Sequence, residues 1–256
     1  MVPPQHGAWA FLGLPLVVGV AVAEPTGVLA VLALAWVFAY PWSYFALAIV
    51  HERRARHPHP ERFRRPLAVW SAVALPALAV LVLLRPWLVW IGLAYAVAFA
   101  INAAFALRRE DRALVNDVVF IAECTALVPI AWGIGATGRS WQVPDFALAP
   151  STVWIVTSAV ALLLTGSTLH VKSLIRERTN SDFARLSLAF AIMSLVISVA
   201  LAWLWGLPAG LFLVLPFAWC AGRSLVMRGR VFAPARIGMI ELVGFLLLAI
   251  PALALA

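Results

Sequence analysis

Charge is scarce in this chain. Only 12% of its 256 residues are Asp, Glu, Lys or Arg, against about 25% in soluble domains. That shortage excludes an ordinary water-soluble fold, because 64% of the residues are hydrophobic and too few polar groups remain to cover them. Cysteine is scarce as well. Cys124 and Cys220 both sit in apolar runs, which argues against a disulfide framework and for two small buried hydrophobes. There is no Gly-rich phosphate loop, no Ser-His-Asp set and no CxxC. There is also no internal repeat, no low-complexity tract and no polar stretch long enough for a soluble domain.

What is present is a succession of apolar runs, each about the ~20 residues that cross ~30 Å of hydrocarbon as a helix. Nine spans are expected: Ala8–Ala23, Gly27–Val50, Leu67–Leu84, Trp87–Leu107, Leu114–Ile134, Thr152–Ile175, Leu186–Trp205, Pro208–Val226 and Ile237–Ala256. The fold class is therefore all-α, a polytopic transmembrane bundle in a single domain. The first run is short. With the tight turn at Glu24-Pro25, it reads as one arm of a helical hairpin.

The basic residues alternate with the spans. Of 19 Lys and Arg, 17 fall after spans two, four, six and eight, and only Arg85 and Arg139 fall on the other side. Loops on the cytoplasmic side carry the excess of Lys and Arg. The expectation is a cell-membrane protein with its N-terminus inside and its C-terminus outside. The net charge of +8 then reports topology and contact with anionic lipid headgroups, not nucleic acid, for which there is no motif. Ala21-Val22-Ala23 has the form of a leader cleavage site, but no Lys or Arg precedes the apolar run, so a cleaved leader is not expected. The segment His51–Arg62 reads as a basic loop against headgroups. His57 and His59 lack the Cys or Asp partners of a zinc site.

Ionisable groups inside a span are costly, so each one is a candidate for function. Asn116, Phe120 and Glu123 are spaced i, i+4, i+7 and share one face of span five, with Asp117 about 100° away. That face is expected to point inward, either as polar glue between helices or toward a ligand. Glu241 lies in span nine. At the end of span six, Lys172, Arg176 and Asn180 repeat at i+4, beside a stripe of His170, Ser173 and Glu177. A solvated, snorkelling helix end would look like this. So would an anion site, because the Arg fork suits phosphate and Lys supplies a point charge.

Three stretches resemble the YwiC-like membrane proteins: Gln5-His6-Gly7-Ala8-Trp9, the Asn116-Asp117 pair after a basic loop, and the run Lys172-Ser173-Leu174-Ile175-Arg176-Glu177-Arg178. The layout also resembles, more distantly, the UbiA superfamily of intramembrane prenyltransferases. Leu107-Arg108-Arg109 followed by Asn116 is similar to that family's basic segment after helix four, and Phe63-Arg64-Arg65-Pro66 to its approach to helix three. The resemblance implies nine helices, N-terminus in and C-terminus out, around a cytoplasm-facing cavity.

It also implies two aspartate-rich segments holding Mg²⁺ for a prenyl diphosphate, and here the sequence departs. No Asp lies between Ser43 and Arg65, and the second segment sets Glu177 and Asp182 among Lys172, Arg176, Arg178 and Arg185. No cofactor is implied and Mg²⁺ is not expected. Direct binding of an anionic head by Lys and Arg needs no metal bridge.

The reading preferred from sequence is a protein that binds an isoprenoid or other lipid-like anionic ligand. His6, Asn116, Lys172, Arg176, Arg178 and Asn180 would bind it, and Asp117, Glu123 and His170 would orient or protonate it. As an enzyme it would be a prenyltransferase-like transferase on a lipid-linked substrate. The alternatives are a small-molecule or ion transporter and a non-catalytic assembly factor. His6, Asp117, Lys172, Arg176 and Arg178 are expected at one depth and around one cavity.

Overall fold

The computed structural model describes residue 3 and residues 6–53, 59–110, 113–206 and 209–254. Among the described residues there are nine α-helices and no strand. The helices are α1 (His6–Ala21), α2 (Gly27–Glu52), α3 (Glu61–Leu84), α4 (Leu88–Arg108), α5 (Leu114–Ala136), α6 (Ser151–Ile175), α7 (Ser181–Trp205), α8 (Ala209–Met227) and α9 (Pro234–Ala254). A single 3-10 turn, Phe146–Leu148, sits before α6. Each expected span corresponds to one helix. Six of them, α2 to α7, are long and apolar enough to cross a membrane. The chain is a multi-pass membrane protein.

The apolar runs become helices because a helix satisfies every backbone N–H and C=O within itself, which lipid cannot do for it. The same constraint tolerates Pro15, Pro41, Pro76, Pro129 and Pro216 inside helices, where neighbouring helices shelter the freed carbonyls. Side chains facing outward are apolar too. Leu83, Leu93 and Val97 on α3 and α4, and Val196, Val199 and Trp203 on α7, are exposed, as lipid-facing residues are. At 16 residues α1 is only about 24 Å long, shorter than the hydrocarbon core.

Two boundaries differ from the sequence expectation in an informative way. α3 begins at Glu61 rather than Leu67, and α7 at Ser181 rather than Leu186. The expectation counted only apolar residues, whereas the first turns of these helices carry Arg62, Arg64, Arg65 and Arg185. These long side chains leave an apolar span at its polar end. Asn180 caps α7 by accepting hydrogen bonds from the Asp182 and Phe183 amides at 3.2 and 3.1 Å. α6 stops at Ile175, so the Lys172, Arg176 and Asn180 repeat is not a continuous helical stripe.

The helices α1, α5 and α6 form the centre. α1 packs against α5, α6 and α9, with α2, α3 and α4 on one flank and α7, α8 and α9 on the other. Gly19 lets α1 approach α5 closely, since a Cβ there would lie 3.2 Å from the Val128 Cα and 3.3 Å from the Leu127 carbonyl oxygen. The Trp36 indole donates to the Leu12 carbonyl at 3.1 Å and ties α2 to α1. The main core joins Val18, Cys124, Val128, Val156, Val160, Leu163, Phe217 and Phe245 from α1, α5, α6, α8 and α9. Among the described residues, 14 of the 16 Lys and Arg lie at or between the C-terminal ends of α2, α4, α6 and α8 and the starts of α3, α5, α7 and α9. Contacts among these termini gather at the arginine-rich end of the bundle.

Candidate functional site

α6 is the hub of the polar interior, and its last two turns face two different groups. On one side Lys172, on α6, pairs with Asp117, three residues into α5. Arg176 lies close enough to interact electrostatically with the same carboxylate. Asp117 and Lys172 thus meet, and Asn116 stands beside them at the start of α5. His6 opens α1, but its side chain lies outside the described residues.

Glu123 sits two turns deeper in α5 and turns toward α4. Its carboxylate accepts a hydrogen bond from Asn102 at 3.4 Å, and its backbone carbonyl accepts one from the Tyr95 hydroxyl at 2.6 Å. The arrangement clamps α4 to α5. Phe120 on the same face stacks on Phe11 of α1.

On the other side of α6, one to two turns in from the arginine-rich end, His170 enters a buried network shared by three helices. Its Nδ1 lies 3.3 Å from Ser224 Oγ on α8, and its Nε2 lies 3.9 Å from Glu241 Oε1 on α9. Glu241 also pairs with Arg223 of α8, whose guanidinium reaches Cys220 Sγ at 3.4 Å. His170, Arg223 and Glu241 are 2%, 6% and 6% exposed, so this charge pair is withdrawn from solvent as well as from lipid. The sequence count placed Arg223 with the arginines around the last connection. It lies inside α8, one turn before the helix ends, because Glu241 neutralises it there.

A cavity of about 270 Å³ opens beside this network, between the ends of α6 and α8 and the start of α7. His170, Ser173 and Leu174 contribute from α6, Ser187 and Leu188 from α7, and Ser224 from α8. Arg178 from the α6–α7 turn and Arg228 and Arg230 from the α8–α9 turn stand at its rim. Gly229 makes that rim possible. Its φ of +72° is in the left-handed region, which reverses the chain between two arginines. No Asp or Glu lines the cavity among the described residues. The Ser187 hydroxyl, on a residue 3% exposed, has no hydrogen-bond partner among the described residues. Buried hydroxyls are normally paired, so this one is available to a guest. The cavity is thus basic at its mouth and hydroxyl-lined within.

Of the residues singled out from sequence, His170 and Arg178 line this cavity. Asp117 and Lys172 form a separate pair with Arg176 nearby, Glu123 lies deeper, and Asn180 caps α7. Sequence reading missed Ser187, Ser224, Arg228 and Arg230 as one group. Their only signal was a hydroxyl in each of two apolar helices and a pair of arginines around a glycine, and the partner helix was not visible. Among the described residues no three His, Cys, Asp or Glu side chains gather as a metal ion would require.

Residues 2–132 match the family described as YwiC-like protein. The chain is 28% identical over 249 residues to "Uncharacterized protein YwiC" of Bacillus subtilis (strain 168), covering 95% of this chain and 92% of that one. It is 25% identical over 221 residues to an "Uncharacterized protein" of Haemophilus influenzae (strain ATCC 51907 / DSM 11121 / KW20 / Rd), covering 83% and 86%. No solved structure matches it.

Proposed function

The chain belongs to the YwiC-like protein family, and on that premise we propose that it is a membrane protein that binds the phosphate head of a lipid-like molecule in the cavity at its arginine-rich end. One observation carries this reading. Three guanidinium groups, Arg178, Arg228 and Arg230, surround a pocket with three serine hydroxyls and no carboxylate among the described residues. Arginine offers a planar fork of donors that matches phosphate, and hydroxyls complete the coordination of a tetrahedral oxyanion. A cavity of about 270 Å³ falls near the lower edge of ligand-site volumes. It suits one headgroup rather than a headgroup with its chain. The apolar tail would leave past Leu174 and Leu188 and lie along the outward face of α7, where Ile192, Met193 and Val196 are exposed. That volume favours binding over the transferase version of the same reading, which needs a second substrate beside the first.

Binding isotherms of a short-chain phosphatidylglycerol to the purified protein test this reading. Arg228→Gln is expected to weaken binding by about 1.5–3 kcal/mol, roughly ten- to a hundredfold, as loss of a charge-assisted hydrogen bond does. Unchanged affinity in a variant that elutes like wild type would remove the cavity from the account.

The arginine-rich end is proposed to face the cytoplasm, by the excess of Lys and Arg there. Reporter fusions at Gly229 and Gly138, which lie in turns at opposite ends of the bundle, are expected to report opposite sides, with Gly229 inside. Fusions on one side would overturn the orientation.

A further inference from the structure

His170 touches both the cavity and the buried ion pair. Its Nδ1 edge faces Ser224 Oγ at 3.3 Å, and Ser224 lines the cavity. Its Nε2 edge faces the Glu241 carboxylate at 3.9 Å and has no hydrogen-bond partner among the described residues. A carboxylate opposite an imidazole nitrogen favours a proton on that nitrogen, because two acceptors face to face repel. In a neutral ring the proton therefore sits on Nε2, and Nδ1 is an acceptor. The Ser224 hydroxyl then donates to Nδ1 and presents only lone pairs to the cavity, which disfavours an anion. A second proton, on Nδ1, reverses this. Ser224 then accepts from the ring, and its own hydrogen is free to point at an anion.

We propose that the cavity takes its anion together with one proton, which comes from solvent and is held on His170 Nδ1. The inference rests on the headgroup-binding reading above. The charged groups near the ring are Arg223 from α8, whose guanidinium also reaches Cys220, Glu241 from α9, and Arg178, Arg228 and Arg230 at the rim, while α7 brings Ser187 to the cavity. The arginines keep their charge throughout the range in which histidine titrates, leaving His170 and Glu241 as the groups that can change. Linkage is reciprocal, so a proton that favours the anion is itself favoured by it.

The test uses the full chain in detergent with two probes, inorganic sulfate and dihexanoylphosphatidylglycerol. Neither changes charge between about pH 5 and pH 8. Wild type is expected to lose affinity by up to about tenfold per pH unit as the pH rises, the slope for one linked proton. Calorimetry in two buffers of different ionisation heat should count one proton taken up. His170→Asn, whose amide donates at the Nδ1 position at any pH, is expected to give a flat profile. If that variant does not fold, the proton count on wild type decides. The slope in the lipid probe alone supports a headgroup source, and in sulfate alone a free anion. A flat wild-type profile, or a slope retained in His170→Asn, overturns the coupling and leaves the binding reading standing. No saturable binding of either probe overturns that reading and the coupling with it.

Discussion

Glu241→Ala is expected to destabilise the bundle by about 3–5 kcal/mol, the cost of leaving a buried charge without its partner. Arg223 stays behind at 6% exposure, with Cys220 Sγ within 3.4 Å of its guanidinium and the carboxylate gone. The measurement is the midpoint of thermal unfolding in detergent, followed by tryptophan fluorescence. The double variant Arg223→Met/Glu241→Leu should recover most of the loss, since well-packed apolar residues replace a buried pair at little or no cost. Asp117→Ala is the contrast. The Asp117–Lys172 pair is less deeply buried, its side chains 25% and 10% exposed against 7% and 3% for Glu241 and Arg223, so the loss there should be smaller. An unchanged midpoint in Glu241→Ala would show that the pair does not hold α8 to α9.

The second large effect concerns the cavity. Converting Arg178, Arg228 and Arg230 together to Gln removes the Arg side chains that line its rim among the described residues. Each charge-assisted contact contributes about 1.5–3 kcal/mol to an anion. Contacts to one ligand are not additive, yet three together should lower affinity by at least about a thousandfold. The same three residues stand at an exposed end of the bundle, away from the core of α1, α5 and α6, so the unfolding midpoint should stay near that of wild type. Loss of binding with an intact fold is the signature of a site.

Much of this architecture was legible in the sequence because lipid imposes one rule along the whole chain. Apolar runs the length of a bilayer gave the nine helices in order. The alternation of arginines told which termini gather. Helix periodicity set Glu123 on a face with Asn116 and Phe120, but that its carboxylate meets Asn102 of α4 while Phe120 meets Phe11 of α1 is visible only in the fold. What could not be read was which helix faces which. Lys172 lies in the last turn of α6 and Arg178 in the turn that follows it, and sequence put them around one cavity. In the structure Lys172 turns to Asp117 on α5 and Arg178 to the pocket beside α7 and α8, because α6 stops at Ile175 and the chain changes direction between the two residues. Arg223 misled for a related reason. Counted by position it belongs to the basic connection, and only the fold sets it against Glu241, eighteen residues on.

The central claim is that a phosphate-bearing molecule sits among Arg178, Arg228 and Arg230. Native mass spectrometry of the gently solubilised protein, released from its detergent in the gas phase, tests it most directly. Wild type is predicted to carry an adduct whose fragmentation yields a phosphate-containing headgroup, and the triple Gln variant to fly without it. Equal adducts on both proteins, or a wild type that retains no phosphate-bearing molecule while keeping its fold, would contradict the account.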